Sequence, residues 1–348
     1  MDVLETNIEL DGEMRVCGTL AVPKAKLREK SPAILIIAGS GPLDRNGNGP
    51  KGKYPTNLYK DLSDFFTSLG YIAFRYDKRG TGESEGNWRS TGFVDLVCDA
   101  KRAVDYLKTR DEVDADKIIV AGHSEGVTIA TKLAEDVRVA GLMFLSGGAD
   151  NLEQSLKHQR ENAYEELLSQ KGFKGWLYKK LKVDEKGEKQ VNKMMKKIFL
   201  SDKDVIRYQF AKVNARWFRE HFTFDTRKAL RTIDIPILAL VGDKDPLVNS
   251  ETLPELEHLV KGECETYVIE DMEHGLKQQG ADKSILNSKK LLKESMGKPI
   301  HEHAQLIMQN WLARVTHPKK GVERHGRRQE YEEPDSTSNP LHASIPTL

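Results

Sequence analysis

Apolar positions in this chain fall first into two alternating runs and then into short unbroken blocks separated by helical patterns. Val3 to Leu10 and Met14 to Val22, turned at Asp11-Gly12 and stopped at Pro23, predict an antiparallel hairpin. Ala33 to Ala38 and Tyr71 to Tyr76 are near-continuous apolar runs too short for helices, as expected of strands buried on both faces. Between them Leu58, Leu62, Phe65, Phe66 and Leu69 recur at helical spacing as far as Gly70, which completes a βαβ unit. The alternation continues with a helix from about Phe93 to Thr109, a strand from Lys117 to Ala121, a helix from Ser124 to about Glu135 and a strand from Gly141 to Leu145. Repeated βα units predict an α/β fold, a mostly parallel sheet with helices on both faces.

From Asp150 to about Arg231 the alternation stops. Val191, Met194, Met195, Ile198 and Phe199 follow helical spacing, as do Ile206, Phe210, Val213 and Trp217, so residues 150–231 are expected to be a helical insertion. Lys171 to Lys197 carries ten lysines against Asp184, Glu185 and Glu188, which suits a solvated helical surface or one that attracts an anionic substrate. Sheet signals resume at Ile235 to Val241, with Pro236 near the strand start, followed by a helix around Glu251 to Val260 and a strand from Glu265 to Ile269. A lysine-rich connection, Lys277 to Lys298, leads to a last amphipathic helix from about His301 to Val315. The expected organisation is a core in two parts, 1–149 and 232–316, interrupted by the 150–231 insertion. The polar, aperiodic end at 317–348 is expected to be disordered.

Composition narrows the function classes. The formal net charge is +1 over 348 residues, so no global electrostatic argument favours nucleic acid. A charged fraction of 31% suits a soluble protein. Met1 to Glu5 has neither the basic nor the apolar part of a secretory signal, and no stretch is apolar enough to span a membrane, so a cytoplasmic location is the default expectation. Cys17, Cys98 and Cys264 are far apart and odd in number, which shows neither a disulfide framework nor a metal-ligand spacing; all three are expected to be buried apolar side chains.

The chemistry concentrates in Gly122-His123-Ser124-Glu125-Gly126, between an apolar strand and a helical pattern. This form suits a nucleophile elbow, where a strand reverses sharply into a helix and holds a serine at the apex between small residues. A serine hydroxyl needs a base, and the base a third group to orient it. Behind the next two strands come Gly242-Asp243-Lys244-Asp245-Pro246-Leu247-Val248 and Glu270-Asp271-Met272-Glu273-His274-Gly275, an acid and a histidine in the chain order this elbow requires. His123 is adjacent to the serine on the elbow, points away from it and reads as structural. His301-Glu302-His303 opens a solvated helix, since two imidazoles two positions apart do not face one another on it.

With these motifs the sequence resembles an α/β-hydrolase from about residue 1 to residue 316. Gly39-Ser40-Gly41-Pro42-Leu43-Asp44-Arg45 is similar to a loop of a bacterial esterase branch grouped with serine aminopeptidase S33-like hydrolases, and Asp77-Lys78-Arg79-Gly80-Thr81-Gly82-Glu83-Ser84 resembles the family segment after the fourth strand. The resemblance implies an eight-stranded sheet with a helical cap, Ser124 as nucleophile and His274 as general base. It implies Asp245 as the acid, from Gly-X-X-Asp-X-X-Val, with Asp243 as the alternative. The implied oxyanion donors are the N–H groups of Glu125 and Ser40, with Gly41 the alternative to Ser40. Arg79, Asp44 and Arg45 are expected to organise loops at the sheet's carboxyl edge, with a direct role in binding substrate as the alternative. The Glu125 carboxylate is expected to be solvated at a helix N-terminus, or else to meet a substrate amine. The implied activity is carboxylesterase action on a small-molecule acyl substrate, with no metal or organic cofactor required. An aminopeptidase or amidase with the same triad is the alternative, and a noncatalytic ligand-binding homologue the third reading.

Overall fold

Side chains alternate across a strand, so a run buried along its whole length must have a layer on each face. The structure, a computed structural model, describes residues 2–27 and 29–317, so the expected disorder of 317–348 lies, except for His317, outside the described residues. The chain begins with β1 (Val3–Leu10), β2 (Val16–Pro23) and β3 (Ser31–Ile37), then a short pair, β4 (Asn48–Gly49) and β5 (Lys53–Pro55). It continues through α1 (Leu58–Ser68), β6 (Ile72–Tyr76), α2 (Phe93–Lys108), β7 (Val113–His123), α3 (Glu125–Asp136) and β8 (Gly141–Leu145). Along β3, Ile34 and Ile36 pack with Leu62 and Phe66 of α1, whereas Leu35 and Ile37 belong to the core that holds Leu96 of α2 and Val127 of α3.

Between β8 and β11 (Ile237–Gly242) the chain leaves the sheet. It forms α4 (Leu152–Leu168), α5 (Gly172–Leu181), α6 (Val183–Phe199), β9 (Val205–Tyr208), β10 (Ala211–Asn214), α7 (Ala215–Thr223) and α8 (Thr226–Leu230). The helical spacing of Ile206, Phe210 and Val213 misleads here: β9 and β10 form an antiparallel hairpin turned at Gln209, with φ of 52°. Val205, Ile206 and Val213 are β-branched and favour strands, and Phe210 sits exposed within the turn.

After β11, Ser250–Glu255 is a 3-10 segment and only Leu256–Leu259 is α-helical, α9. Pro254 has no N–H to donate to a longer helix. Next come β12 (Cys264–Ile269), α10 (Ser288–Ser295) and α11 (Glu302–Thr316). Helix α10 lies within the stretch expected to be a connection, because only Leu291 and Leu292 mark its apolar side. The cysteine expectation fails for Cys98, which is exposed, while Cys17 is buried and Cys264 half-buried. On α2, Cys98 stands two residues from the buried Leu96, about 200° round the helix.

The main sheet has eight strands in the order β1-β2-β6-β3-β7-β8-β11-β12, antiparallel at β1/β2 and β2/β6 and parallel elsewhere. Its register pairs Ile37 with Gly122, His123 with Leu145, Leu145 with Leu240, and Gly242 with Ile269. The carboxyl ends of β3, β7, β8, β11 and β12 therefore share one edge, where ligands gather in open α/β sheets. Among the described residues no helix is long and apolar enough to cross a membrane.

Candidate active site

Ser124 sits between β7 and α3 with φ of 54° and ψ of -118°, a conformation that non-glycine residues rarely adopt. Its N–H donates to the Leu145 carbonyl at 2.9 Å, and its carbonyl accepts from Val127 N–H at 3.0 Å. The flanking glycines have a steric cause. A Cβ on Gly122 would lie 2.3 Å from the Gly126 carbonyl oxygen, and one on Gly126 would lie 2.3 Å from the Ile37 carbonyl oxygen. Both contacts are with backbone, which cannot swing away, so the sharp reversal admits only glycine at these two positions.

His274 lies on the turn after β12, with Nδ1 2.8 Å from Asp245 Oδ2. Asp245 is buried, and its Oδ1 accepts from Leu247 N–H at 2.8 Å. Asp243 has no hydrogen bond to His274 among the described residues; its nearest cation is Lys244, at 4.0 Å. Burial disfavours a charged His274, but Asp245 outweighs this and, with Glu273, holds the imidazole above its ordinary value. Ser124 and His274 line the same two cavities, yet no hydrogen bond within 3.5 Å joins Ser124 Oγ to the imidazole.

The buried His123 supports the neighbouring loops. Its Nε2 lies 2.9 Å from the His274 carbonyl oxygen, an atom that only accepts, so Nε2 carries the proton. Nδ1 must then accept from Tyr59 Oη, 3.1 Å away, while Tyr59 Oη accepts from Gly39 N–H at 2.7 Å. Burial and the neighbouring His274 push the His123 imidazole down to about 3, so it stays neutral. Ser146 Oγ also donates to the His274 carbonyl, at 2.9 Å.

Glu125 departs from the expectation of a solvated carboxylate. It is buried, with Oε2 accepting from Lys78 Nζ at 2.9 Å and Oε1 from Trp217 Nε1 at 2.5 Å and His221 Nε2 at 3.0 Å. Burial alone would raise its carboxyl, but Lys78 and His221 hold it well below the usual carboxylate range. A substrate amine would meet a carboxylate already buried and held by three side-chain donors, two of them from α7. Lys78 Nζ also donates to the Gly39 carbonyl at 2.5 Å, tying the Ser40 loop to the elbow. Neither Ser40 N–H nor Glu125 N–H has an intramolecular acceptor among the described residues. Asp44 accepts from Asn46 and Asn48 N–H, Arg45 pairs with the buried Asp77 at 2.6 Å, and Arg79 with the buried Asp99 at 2.8 Å. His301 caps the start of α11.

Two cavities meet at Ser40, Ser124 and His274. One, of about 370 Å³, runs beneath α10 and is largely apolar, with Leu43, Tyr54, Leu58, Leu291, Leu292 and Met296 in its wall. The other, of about 200 Å³, runs towards α4 past Asp150, Ser155, Gln159, Asn249 and Thr252. A third, of about 300 Å³, reaches Ser40 and Gly41 from between Trp88 and Trp217.

Residues 55–278, which contain Ser124, Asp245 and His274, match the family profile described as serine aminopeptidase, S33. The chain belongs to that family. Like other α/β hydrolases, this S33-family chain overlays solved structures across most of its length. Est1E from Butyrivibrio proteoclasticus, solved with ferulic acid bound, aligns over 82% of this chain and 96% of its own with a TM-score of 0.52 at 21% identity. DcsB, in complex with its substrate analogue, aligns over 84% and 100% with a TM-score of 0.52 at 15% identity. At these identities the likeness is one of fold. Among curated relatives, esterase EstD of Thermotoga maritima is 26% identical over 228 residues, 66% of this chain and 49% of the relative. The lysophosphatidylserine lipase ABHD12 of Gallus gallus is 33% identical over 107 residues, 31% of this chain and 24% of the relative. The S33-family chain thus aligns with about half or less of the length of these curated relatives.

The sequence reading missed Lys78, Trp217 and His221 as partners of Glu125, and Tyr59 and Ser146 as supports. Lys78 stands inside the Asp77-to-Ser84 motif, which was a usable signal. The other four are isolated polar atoms on helices or strand ends, and only tertiary closure gives them partners.

Proposed function

We propose that this protein is a carboxylesterase that works through an acyl-enzyme on Ser124. The observation that carries this reading is the His274–Asp245 contact of 2.8 Å, made by an imidazole that shares two cavities with a strained elbow serine. Asp245 keeps the His274 proton on Nδ1, which leaves the Nε2 lone pair free to accept the Ser124 proton. Catalytic hydrogen bonds are often long without substrate and tighten as it binds, and the Ser124–His274 pair is expected to close in that way.

As Ser124 Oγ bonds to the ester carbonyl carbon, negative charge moves to the carbonyl oxygen. The N–H groups of Glu125 and Ser40 stabilise it, each contributing about 3 kcal/mol. Ser40 suits this role better than Gly41 because it faces both cavities that contain Ser124. The C–O bond then breaks and the alcohol leaves with the proton from His274. Water repeats the sequence: it gives a proton to His274, attacks the acyl carbon, and Ser124 departs with that proton. Every step uses this chain's side chains, its backbone and water.

Cavity chemistry assigns the two ends of the ester. The larger, more apolar space beneath α10 suits the acyl chain, and the smaller space beside α4, whose wall mixes polar and apolar side chains, suits the alcohol. An aminopeptidase would hold the substrate's ammonium with a carboxylate, and the carboxylates that line the two cavities with Ser124 are engaged, Glu125 by three side-chain donors, Asp150 by Arg227 and Thr252, and Glu273 by the Lys277 N–H. The test is a side-by-side assay of p-nitrophenyl esters and aminoacyl p-nitroanilides of matched acyl size. Ester turnover that grows with acyl length until the apolar cavity is filled supports the reading; faster turnover of the free-amine anilides transfers the protein to the peptidase reading.

A further inference from the structure

Helix α5 carries an exposed surface that plays no part at the sheet's edge. Phe173 is 72% exposed and Trp176 is 52% exposed, and their ring centroids lie 5.4 Å apart. At 100° per residue they share a face with Lys180, whose ammonium is 4.8 Å from the Trp176 ring centroid. Leu181 is exposed at the helix end, and Lys171, Lys174, Lys179 and Lys182 are exposed around it. On α6, Lys186, Lys189, Lys193, Lys196 and Lys197 are exposed and fall within an arc of about 100°. That arc is opposite the Met195 and Ile198 side, which packs inward. Of these ten lysines only Lys182 has a carboxylate within 4.0 Å among the described residues, that of Glu185; Glu188 is taken by Arg160.

A solvated helix face explains lysines but not a neighbouring phenylalanine, indole and leucine left in water. Unpaired like charges repel and exposed rings are poorly hydrated, so the occupant that suits this surface is anionic on its outside and apolar just beneath. A lipid bilayer with anionic headgroups has that layering, and indole rings favour its interface. A nucleic acid would neutralise the lysines yet leave Phe173 and Leu181 in water. We propose that α5, drawn in by the lysines of α5 and α6, docks this protein peripherally on anionic lipid surfaces, with Phe173 and Trp176 entering the headgroup layer. The inference does not depend on the esterase reading, and binding can be measured without turnover.

The experiment is co-sedimentation of the full chain carrying Ser124→Ala with vesicles of phosphatidylcholine, alone or mixed with phosphatidylglycerol. Partition into the mixed vesicles is expected to be at least about tenfold stronger than into neutral ones, and to weaken as salt rises. Phe173→Ser with Trp176→Ser should reduce it by about tenfold or more, and Lys174→Glu, Lys179→Glu and Lys180→Glu together by more still, at several-fold per charge. Unchanged melting temperatures show that these surface variants fold. Equal partition into both vesicle types, or variants that bind like their parent, would overturn the proposal. So would absent vesicle binding, whether accompanied by a dimer that Phe173→Ser with Trp176→Ser dissolves or by oligonucleotide binding that depends on the lysines.

Discussion

Tyr59 donates its hydroxyl proton to His123 Nδ1, and the direction of that bond is fixed from both ends. On one side Tyr59 Oη is occupied by the Gly39 N–H, and on the other His123 Nε2 must donate to the His274 carbonyl. One run of hydrogen bonds therefore sets the position of the Ser40 loop relative to the His274 loop, two segments far apart in sequence that face the same serine. Tyr59→Phe should leave His123 Nδ1 and Gly39 N–H unpaired. Leaving such groups unsatisfied costs about 1–3 kcal/mol of stability. Turnover is expected to fall on the order of tenfold to a hundredfold through misplacement of the two loops. Thermal melts and steady-state kinetics check this; wild-type kcat in Tyr59→Phe would show that the loops hold their places without it.

The pH dependence follows from His274. A proposed base must be neutral to accept a proton, and Asp245 holds the His274 imidazole above its ordinary 6.5, so with His274 in that role kcat/KM should rise with pH through a midpoint above 6.5. Asp245→Asn removes the charge that raises it, which should move the limb to lower pH and reduce kcat by about 10⁴-fold, as for loss of the equivalent charge in other triads. Asp243→Asn should change kcat only a few-fold. His123 contributes nothing to this limb, because it is neutral down to about 3. The linked stability has the opposite sense. Because the folded value is the raised one, the His274–Asp245 pair contributes fully below the unfolded pKa and loses that contribution as pH rises through the folded value. The destabilisation by Asp245→Asn should therefore shrink as pH increases.

Glu125 gives a second, opposite titration. Its carboxyl is depressed in the folded protein, so its contribution is complete above the unfolded value near 4.5 and is lost as pH falls towards the folded one. Glu125→Gln leaves the Lys78 ammonium buried without its counter-charge, for which about 3–5 kcal/mol of destabilisation is expected. Lys78→Met combined with Glu125→Gln should recover much of that stability. Turnover should not recover, because the Gly39 carbonyl then lacks its lysine donor. Chemical denaturation and kinetics of the two singles and the double separate these outcomes, and a double variant with wild-type turnover would exclude Lys78 from positioning the loop.

Glycine substitutions test the elbow's backbone. Gly126→Ala drives a methyl group to 2.3 Å from the Ile37 carbonyl oxygen, and a loss above about 4 kcal/mol or failure to fold is expected. Gly280→Ala meets no atom within 4 Å and has no positive φ, so its melt should stay within about 0.5 kcal/mol of the parent.

Much of this arrangement was legible because its causes are local. The parallel strands announce themselves as unbroken apolar runs, and the elbow's glycines are required by backbone atoms only a few residues away or on the adjacent strand. Asp245 and His274 follow successive strands, so the sheet's order brings their loops to one edge. What was illegible depends on long-range closure. Glu125 looks like a free helix N-terminal carboxylate until Trp217 and His221, more than ninety residues later, cover it. Ile206, Phe210 and Val213 have a spacing that a helix or a turned hairpin can both satisfy, and the positive φ of Gln209 decides for the hairpin. Helix α10 has too few apolar residues to show itself, because one of its sides faces a cavity instead of a packed core.

The most direct measurement is to treat the protein with a fluorophosphonate and map the modified peptide by mass spectrometry. A single adduct on Ser124, with labelling and ester turnover both abolished by Ser124→Ala, is the result expected of an acyl-enzyme at this serine. Labelling or ester turnover that persists in Ser124→Ala would contradict it.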